Sequence, residues 1–227
     1  MKMYSISIQE ANGGTTPKNI SIEKVLVVGY GGRNVEKVHE HIHELSLIGV
    51  DPPSTIPALY PQPLSGLTTE STIIVQGTET SGEVEYVLFH DGEEWLVTVG
   101  SDHTDRHLET EDIQKSKEAC PKPFVTQFWR LVDVQDHWDQ LILRSWMTDK
   151  NGTRLYQEHN LTALLPVSDL LGKLKEFGYE DLKNTIIFSG TVPTLGGFVY
   201  GNQFIYEMRD PVLNRTLNGE YSVVVGG

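Results

Sequence analysis

Cysteine is nearly absent: Cys120 is the one thiol in 227 residues. That excludes an internal disulfide framework and a cysteine-rich zinc site. Long apolar runs are missing as well. No stretch approaches the roughly 20 residues that span a bilayer, and the opening MKMYSISIQEANGG lacks the apolar core of a signal peptide. Positive charge is scarce. The 18 Lys and Arg stand against 31 Asp and Glu, a formal net charge of −13, which argues against nucleic acid and anionic membranes as partners. Repeats and low-complexity tracts are also lacking. What remains, 38% hydrophobic and 22% charged residues, is the composition of a soluble globular protein, expected in the cytoplasm.

Short strands dominate the pattern. Met3–Ile8 alternates weakly, as an edge strand would, and Glu10–Lys18 reads as a polar loop. Lys24–Val28 is an apolar strand that ends in Gly29-Tyr30-Gly31-Gly32. Val35, Val38, Ile42 and Leu45 then recur at helical spacing. Gly49 and Pro52-Pro53 end that helix, and Pro52–Leu67 reads as a covering loop. Thr72–Val75, Leu141–Met147, Thr153–Glu158, Thr185–Ser189, Phe204–Met208 and Tyr221–Val225 read as strands, with one more helix over Pro166–Phe177. The sum is a mainly β chain with some helix, an α+β fold.

The stretch Ser81–Asp102 is the centre of this pattern. Val84–Phe89 and Trp95–Val99 are two β-prone runs flanking Asp91-Gly92, which suits a two-residue hairpin turn. That turn pairs Glu85 with Thr98, Glu83 with Gly100 and Ser81 with Asp102. Glu83, Glu85 and Asp102 then share one face of the hairpin. Three adjacent carboxylates repel unless a cation lies between them, and an all-oxygen set suits Mg²⁺, Mn²⁺ or Ca²⁺. Gly100 would leave room beside Glu83. On spacing alone, a solvated acidic face explains the same residues.

The first helix offers three chemical readings. Strand, glycine turn and helix imitate a dinucleotide site, but Asn34 stands at the third glycine position and no second strand precedes Asp51. His39-Glu40-His41-Ile42-His43 matches the H-E-x-x-H zinc signature, with no third ligand at the usual spacing. His41 and Glu44, three apart on one face, suit a general base and the group that orients it.

Several of these segments together resemble the fumarylacetoacetate hydrolase superfamily, in a small bacterial branch. Glu83-Val84-Glu85 resembles its E-x-E metal strand. Asp102 followed by Arg106 is similar to its N-D-x-S-A-R-D segment, with Ser101 for asparagine and His107 for the second aspartate. Lys115-Ser116 resembles its K-S, and Ser189-Gly190-Thr191-Val192-Pro193 its G-T-P-x-G-V loop with one valine inserted. His41-Ile42-His43-Glu44 is similar to its H-x-x-E lid pair.

The resemblance implies a mixed β-roll or sandwich with an N-terminal lid helix. It divides the chain into a strand and lid-helix segment at residues 1–55 and a catalytic β-roll at 56–227. It implies a divalent ion, Mg²⁺ or Mn²⁺, on Glu83, Glu85 and Asp102, with Ca²⁺ an alternative in a crystal. His41, Glu44 and Lys115 would be catalytic. Arg106, Thr191 and Gly190 would bind a small organic acid, and the assembly would be a homodimer. The implied reaction is hydrolysis of a carbon–carbon bond in a 2-oxo or 1,3-dicarbonyl acid through a metal-stabilised enolate. Decarboxylase, hydratase and tautomerase chemistry use the same site, and a non-catalytic acid-binding relative is the reading from another class.

Overall fold

The computed structural model describes residues 1–47 and 51–226; the side chains of His41, Glu44 and Leu45 also lie outside the described residues. Two large sheets carry the chain. The first has eight strands in the order Thr15–Ile22, Lys2–Gln9, Gln127–Arg130, Trp95–Ser101, Val84–His90, Thr185–Phe188, Lys24–Gly29 and Ala58–Gln62. Two of its pairings, Lys2–Gln9 with Gln127–Arg130 and Thr185–Phe188 with Lys24–Gly29, are parallel; the others are antiparallel. The second sheet has five, Gly152–Asn160, Ile142–Asp149, Gln203–Asp210, Arg215–Val225 and Thr72–Val75. This is the mainly β, α+β architecture that the sequence predicts.

The first sheet has to curl. Its first and seventh strands, Thr15–Ile22 and Lys24–Gly29, are joined by Glu23 alone. Closing that gap rolls the sheet around an inner core, where Ile6, Ile8, Ile20, Ile22, Val25 and Val27 meet Val87, Phe89, Phe128 and Phe188. Alternation sends Val84, Tyr86, Leu88, Val97 and Val99 to the outer face, against Leu143, Met147, Phe204, Met208 and Leu217 of the five-stranded sheet. Both faces of the central hairpin are therefore buried, and Glu85, 1% exposed, is the one acid within its Val84–His90 strand. Residues before and after position 55 share this one sheet.

Three strands differ from the sequence reading, two of them for one physical reason. Lys2–Gln9 is interior, and the true edges are Thr15–Ile22 and Ala58–Gln62. Each edge strand contains a proline, Pro17 and Pro61. Proline cannot donate to a ladder and is tolerated where one side of the strand is unpaired; the same residues make the segments look like loops.

The hairpin register also differs. His90 pairs with Trp95 across a four-residue loop, so Glu85 faces Gly100 and Val84 faces Ser101. Asp91 sets the loop, its Oδ1 accepting from the Glu93 and Glu94 N–H groups at 2.8 and 2.9 Å. The shift from the expected pairing is two residues, and strand side chains have period two. Glu83, Glu85 and Asp102 therefore keep their common face, and Asp102 moves directly opposite Glu83, its N–H donating to the Glu83 carbonyl at 3.0 Å.

Candidate metal and active site

The three acids converge where the hairpin meets the glycine loop after Thr185–Phe188. One carboxylate oxygen from each of Glu83, Glu85 and Asp102 lies within 4.8 Å of the others. Glu85 is fixed by the Gly190 N–H, which donates to its Oε2 at 2.9 Å. Gly190 has φ +94°, and a Cβ there would stand 3.1 Å from the Val28 carbonyl, so the turn requires glycine. Burial pushes the Glu85 carboxyl well above the usual range, and the Asp102 and Glu83 charges add to the push. The space beside Gly100 is not open: a Cβ there would meet Phe188, Val87 and the Pro123 carbonyl at 2.8–2.9 Å.

Asp102 is fully buried between two lysines. Lys117 donates to its Oδ2 and stands 3.6 Å from Glu83 Oε2. Lys122 Nζ lies 2.9 Å from Oδ1, but its protons go to the carbonyls of His103, Lys117 and Cys120. Oδ1 is left as a buried acceptor that receives no hydrogen bond. Burial would raise the Asp102 carboxyl, but the two ammonium groups outweigh it and hold it down at about 2. A hard divalent cation fits this donor set: oxygen ligands only, and crowded, buried negative charge.

Arg106 is committed as well. Its Nε donates to Ser81 Oγ at 2.8 Å, Nη1 to Glu109 at 2.9 Å and Nη2 to Glu83 at 2.9 Å. The Phe198 ring covers its face at 4.2 Å. The Thr191 hydroxyl donates to the Val84 carbonyl at 2.8 Å and accepts from Gln157 Nε2 at 2.8 Å. Lys115 is not brought to the acids: its side chain is 73% exposed and pairs with Asp112 at 3.1 Å. Lys117, two residues on, faces the site. His39 and His43 are exposed and do not belong to the acidic cluster. His41 and Glu44 lie on the Val35–Leu47 helix, and their side chains are outside the described residues.

Two buried groups have no role in the sequence reading. Gln157 accepts from the Val84 N–H at 3.0 Å and Ser145 Oγ at 2.8 Å, and donates to Thr191 Oγ1 and the Val192 carbonyl. It thus ties the metal strand to the glycine–threonine loop. Gln157→Leu is expected to cost about 2–4 kcal/mol, because it strands several buried polar groups at once. Urea denaturation checks this, and a loss below about 0.5 kcal/mol would contradict the role. His103 joins Tyr221 Oη and Thr80 Oγ1, each at 2.9 Å. Burial first, then Lys122 and Arg106, lower it to about 3, so it is a neutral linker. The sequence signals were weak: each is a single polar residue within or next to a strand.

The class follows from comparison with solved structures. A proposed fumarylpyruvate hydrolase from Burkholderia cenocepacia superposes with a TM-score of 0.64 at 17% identity, covering 100% of this chain and 97% of that one. A proposed fumarylacetoacetate isomerase/hydrolase from Oleispira antarctica gives 0.63 at 17%, covering 96% and 99%. The apo form of 2-keto-3-deoxy-D-arabinonate dehydratase gives 0.65 at 15%, covering 94% and 77%. The fold is that of the fumarylacetoacetate hydrolase superfamily. Residues 28–221 match the model described as "Protein of unknown function (DUF2848)", and the chain belongs to that family. No curated protein matches the sequence. Among the described residues, no helix is long and apolar enough to cross a membrane.

Proposed function

We propose that the protein is a divalent-metal-dependent enzyme acting on small 2-oxo or 1,3-dicarbonyl acids, most simply by hydrolytic cleavage of a carbon–carbon bond. The observation that carries this is the buried convergence of the carboxylates of Glu83, Glu85 and Asp102. Mg²⁺ or Mn²⁺ held there supplies Lewis acidity toward the oxygens of the acid. Lys117 takes the place expected of Lys115: its buried ammonium bonds Asp102 and lies 3.6 Å from Glu83, and it would bind the substrate's oxygens. Arg106 orients Glu83. Gly190 orients Glu85 through its N–H, and Thr191 and Gln157 fix the loop that carries it. His41 would activate water as general base, with Glu44 as the group that orients it. The hydrolase and dehydratase names among the structural neighbours support the substrate class as analogy only.

Glu85→Gln tests the reading. It keeps size and the Gly190 contact while removing one crowded charge. Calorimetric titration is expected to show Mn²⁺ affinity falling about 100-fold or more, beyond the 10–100-fold that outer-shell changes cost. In EDTA the variant should melt no lower than wild type, since burial and the two neighbouring acids oppose the Glu85 charge. Unchanged Mn²⁺ affinity would remove the metal site from the reading.

A further inference from the structure

The five-stranded sheet reaches the acidic site through one hydroxyl. Resting on the metal reading above, we infer that Tyr221 is a positioning residue for the metal: its Oη fixes the residues on either side of Asp102 and, through one of them, the backbone of Glu83.

The geometry starts from Asp102. Ser101 and His103 flank it in the chain, and all three are fully buried. Ser101 Oγ lies 2.9 Å from Tyr221 Oη, and His103 Nδ1 lies 2.9 Å from the same atom. Ser101 Oγ also accepts from the Glu83 N–H at 3.2 Å, while the Glu83 carbonyl accepts from the Asp102 N–H at 3.0 Å. Glu83 is thus gripped through both of its backbone groups by the Ser101–Asp102 pair. On the far side His103 Nε2 meets Thr80 Oγ1 at 2.9 Å. One phenol therefore ties residues 80–83 to residues 101–103, and these two segments carry two of the three converging carboxylates.

The protons close along this line in either direction. A neutral imidazole offers one donor and one acceptor. If Nδ1–H donates to Tyr221, the phenol donates to Ser101 and Thr80 donates to Nε2. If Tyr221 donates to Nδ1 instead, Ser101 donates to Tyr221 and Nε2–H donates to Thr80. Both arrangements keep a Ser101 lone pair for the Glu83 N–H. In both, Tyr221 Oη is the group shared by the two flanks of Asp102.

The hydroxyl is held by its own ring. Tyr221 is 1% exposed. The rings of Phe204, His103 and Tyr206 lie 5.5, 5.6 and 6.0 Å from it, centroid to centroid, and Phe204 is its direct cross-strand partner. A close-packed layer of this kind leaves the Oη little room to move. Carboxylates that share an ion have to be held to within about 0.5 Å. Glu83 and Asp102 take that setting from a strand of the other sheet.

The experiment compares Mn²⁺ affinity with thermal stability in the full chain. Tyr221→Phe keeps the ring layer filled and removes the hydroxyl. Calorimetric titration is expected to show Mn²⁺ binding weakened about 10–100-fold, the usual cost of losing a group that holds a metal ligand. Ser101→Ala should weaken it comparably, and the double variant should lie within about twofold of the weaker single, because both changes break one line of bonds. Ile8→Val, in the inner core of the first sheet, controls for stability: it lowers the melting temperature and should leave Mn²⁺ affinity at the wild-type value. Affinity within about twofold of wild type in Tyr221→Phe would overturn the positioning role while the metal site stands. Full affinity in Ser101→Ala, losses that multiply in the double variant, or an equal loss in Ile8→Val would overturn it too. If the wild type binds no Mn²⁺, the metal reading and the positioning role fall together.

Discussion

Asp102→Ala is expected to lower stability by about 3–5 kcal/mol in EDTA, the range for breaking a buried ion pair by removing one partner. The carboxylate is the shared counter-charge of Lys117 and Lys122, whose side chains are 7% and 1% exposed. Without it, Lys117 keeps only Glu83 at 3.6 Å, and Lys122 keeps its carbonyls but no anion in contact. Two buried ammonium groups would then repel across the vacated position. Measuring in EDTA separates this loss from that of the metal, whose binding should vanish in the same variant. Adding Lys117→Met removes one orphaned charge and should recover part of the stability, a coupling that a double-mutant cycle reads directly. A loss below about 1 kcal/mol, or no recovery in the double variant, would show that water already reaches the pair and that the site is open.

The same neighbourhood shows what is legible in a sequence and what is not. The face shared by Glu83, Glu85 and Asp102 depends on parity alone, and it survives a two-residue error in the loop. Helix phase is less forgiving. Lys115-Ser116 matches a two-letter motif, but Asp112 caps the short helix Ile113–Glu118, accepting from the Lys115 N–H at 3.0 Å. That places Lys115 on the solvent side with its own cap. Two residues are about 200° of helical turn, so Lys117 points the opposite way, into the acids. Arg106 is a third case. Its position in the chain suits substrate binding, whereas its partners Glu83, Glu109 and Ser81 come from folded neighbours that spacing does not reveal. The two proline-bearing edge strands were hidden because strand position within a sheet is a long-range property. Gln157 and His103 are a further limit: their importance comes from being fully buried and fully bonded, and neither has a local pattern.

His41→Ala is expected to leave Mn²⁺ and oxalate binding nearly intact while turnover of a cleavable 2-oxo acid falls by about 10²–10⁴, the usual contribution of a positioned general base. The helix that carries it, Val35–Leu47, is firmly held at its start. Arg33 grips Asp139 through both terminal nitrogens at 2.9 and 2.6 Å and reaches the Leu164 carbonyl at 3.0 Å. The Arg33 N–H donates to Ala163 O, and Gly31 O accepts from Leu165. A Cβ on Gly31 would come 2.7 Å from the Ser189 carbonyl, so this glycine serves close packing. Asn34 Oδ1 caps the helix, accepting from Lys37 at 3.1 Å. Of the apolar stripe, Val38 is buried at 8% exposure, Ile42 is half-buried and Val35 is 56% exposed. Among the described side chains of this helix one apolar residue, Val38, is buried, and segments with few buried apolar contacts are where lids are found. Closure over a bound acid would bring His41 into reach and exclude other water. Hydrogen exchange across Val35–Leu47 is therefore expected to slow when Mn²⁺ and oxalate are added together. Glu44→Gln, which only orients the imidazole, should cost less turnover than His41→Ala. Unchanged exchange together with full activity of His41→Ala would make the helix structural and move water activation to a group nearer the acids.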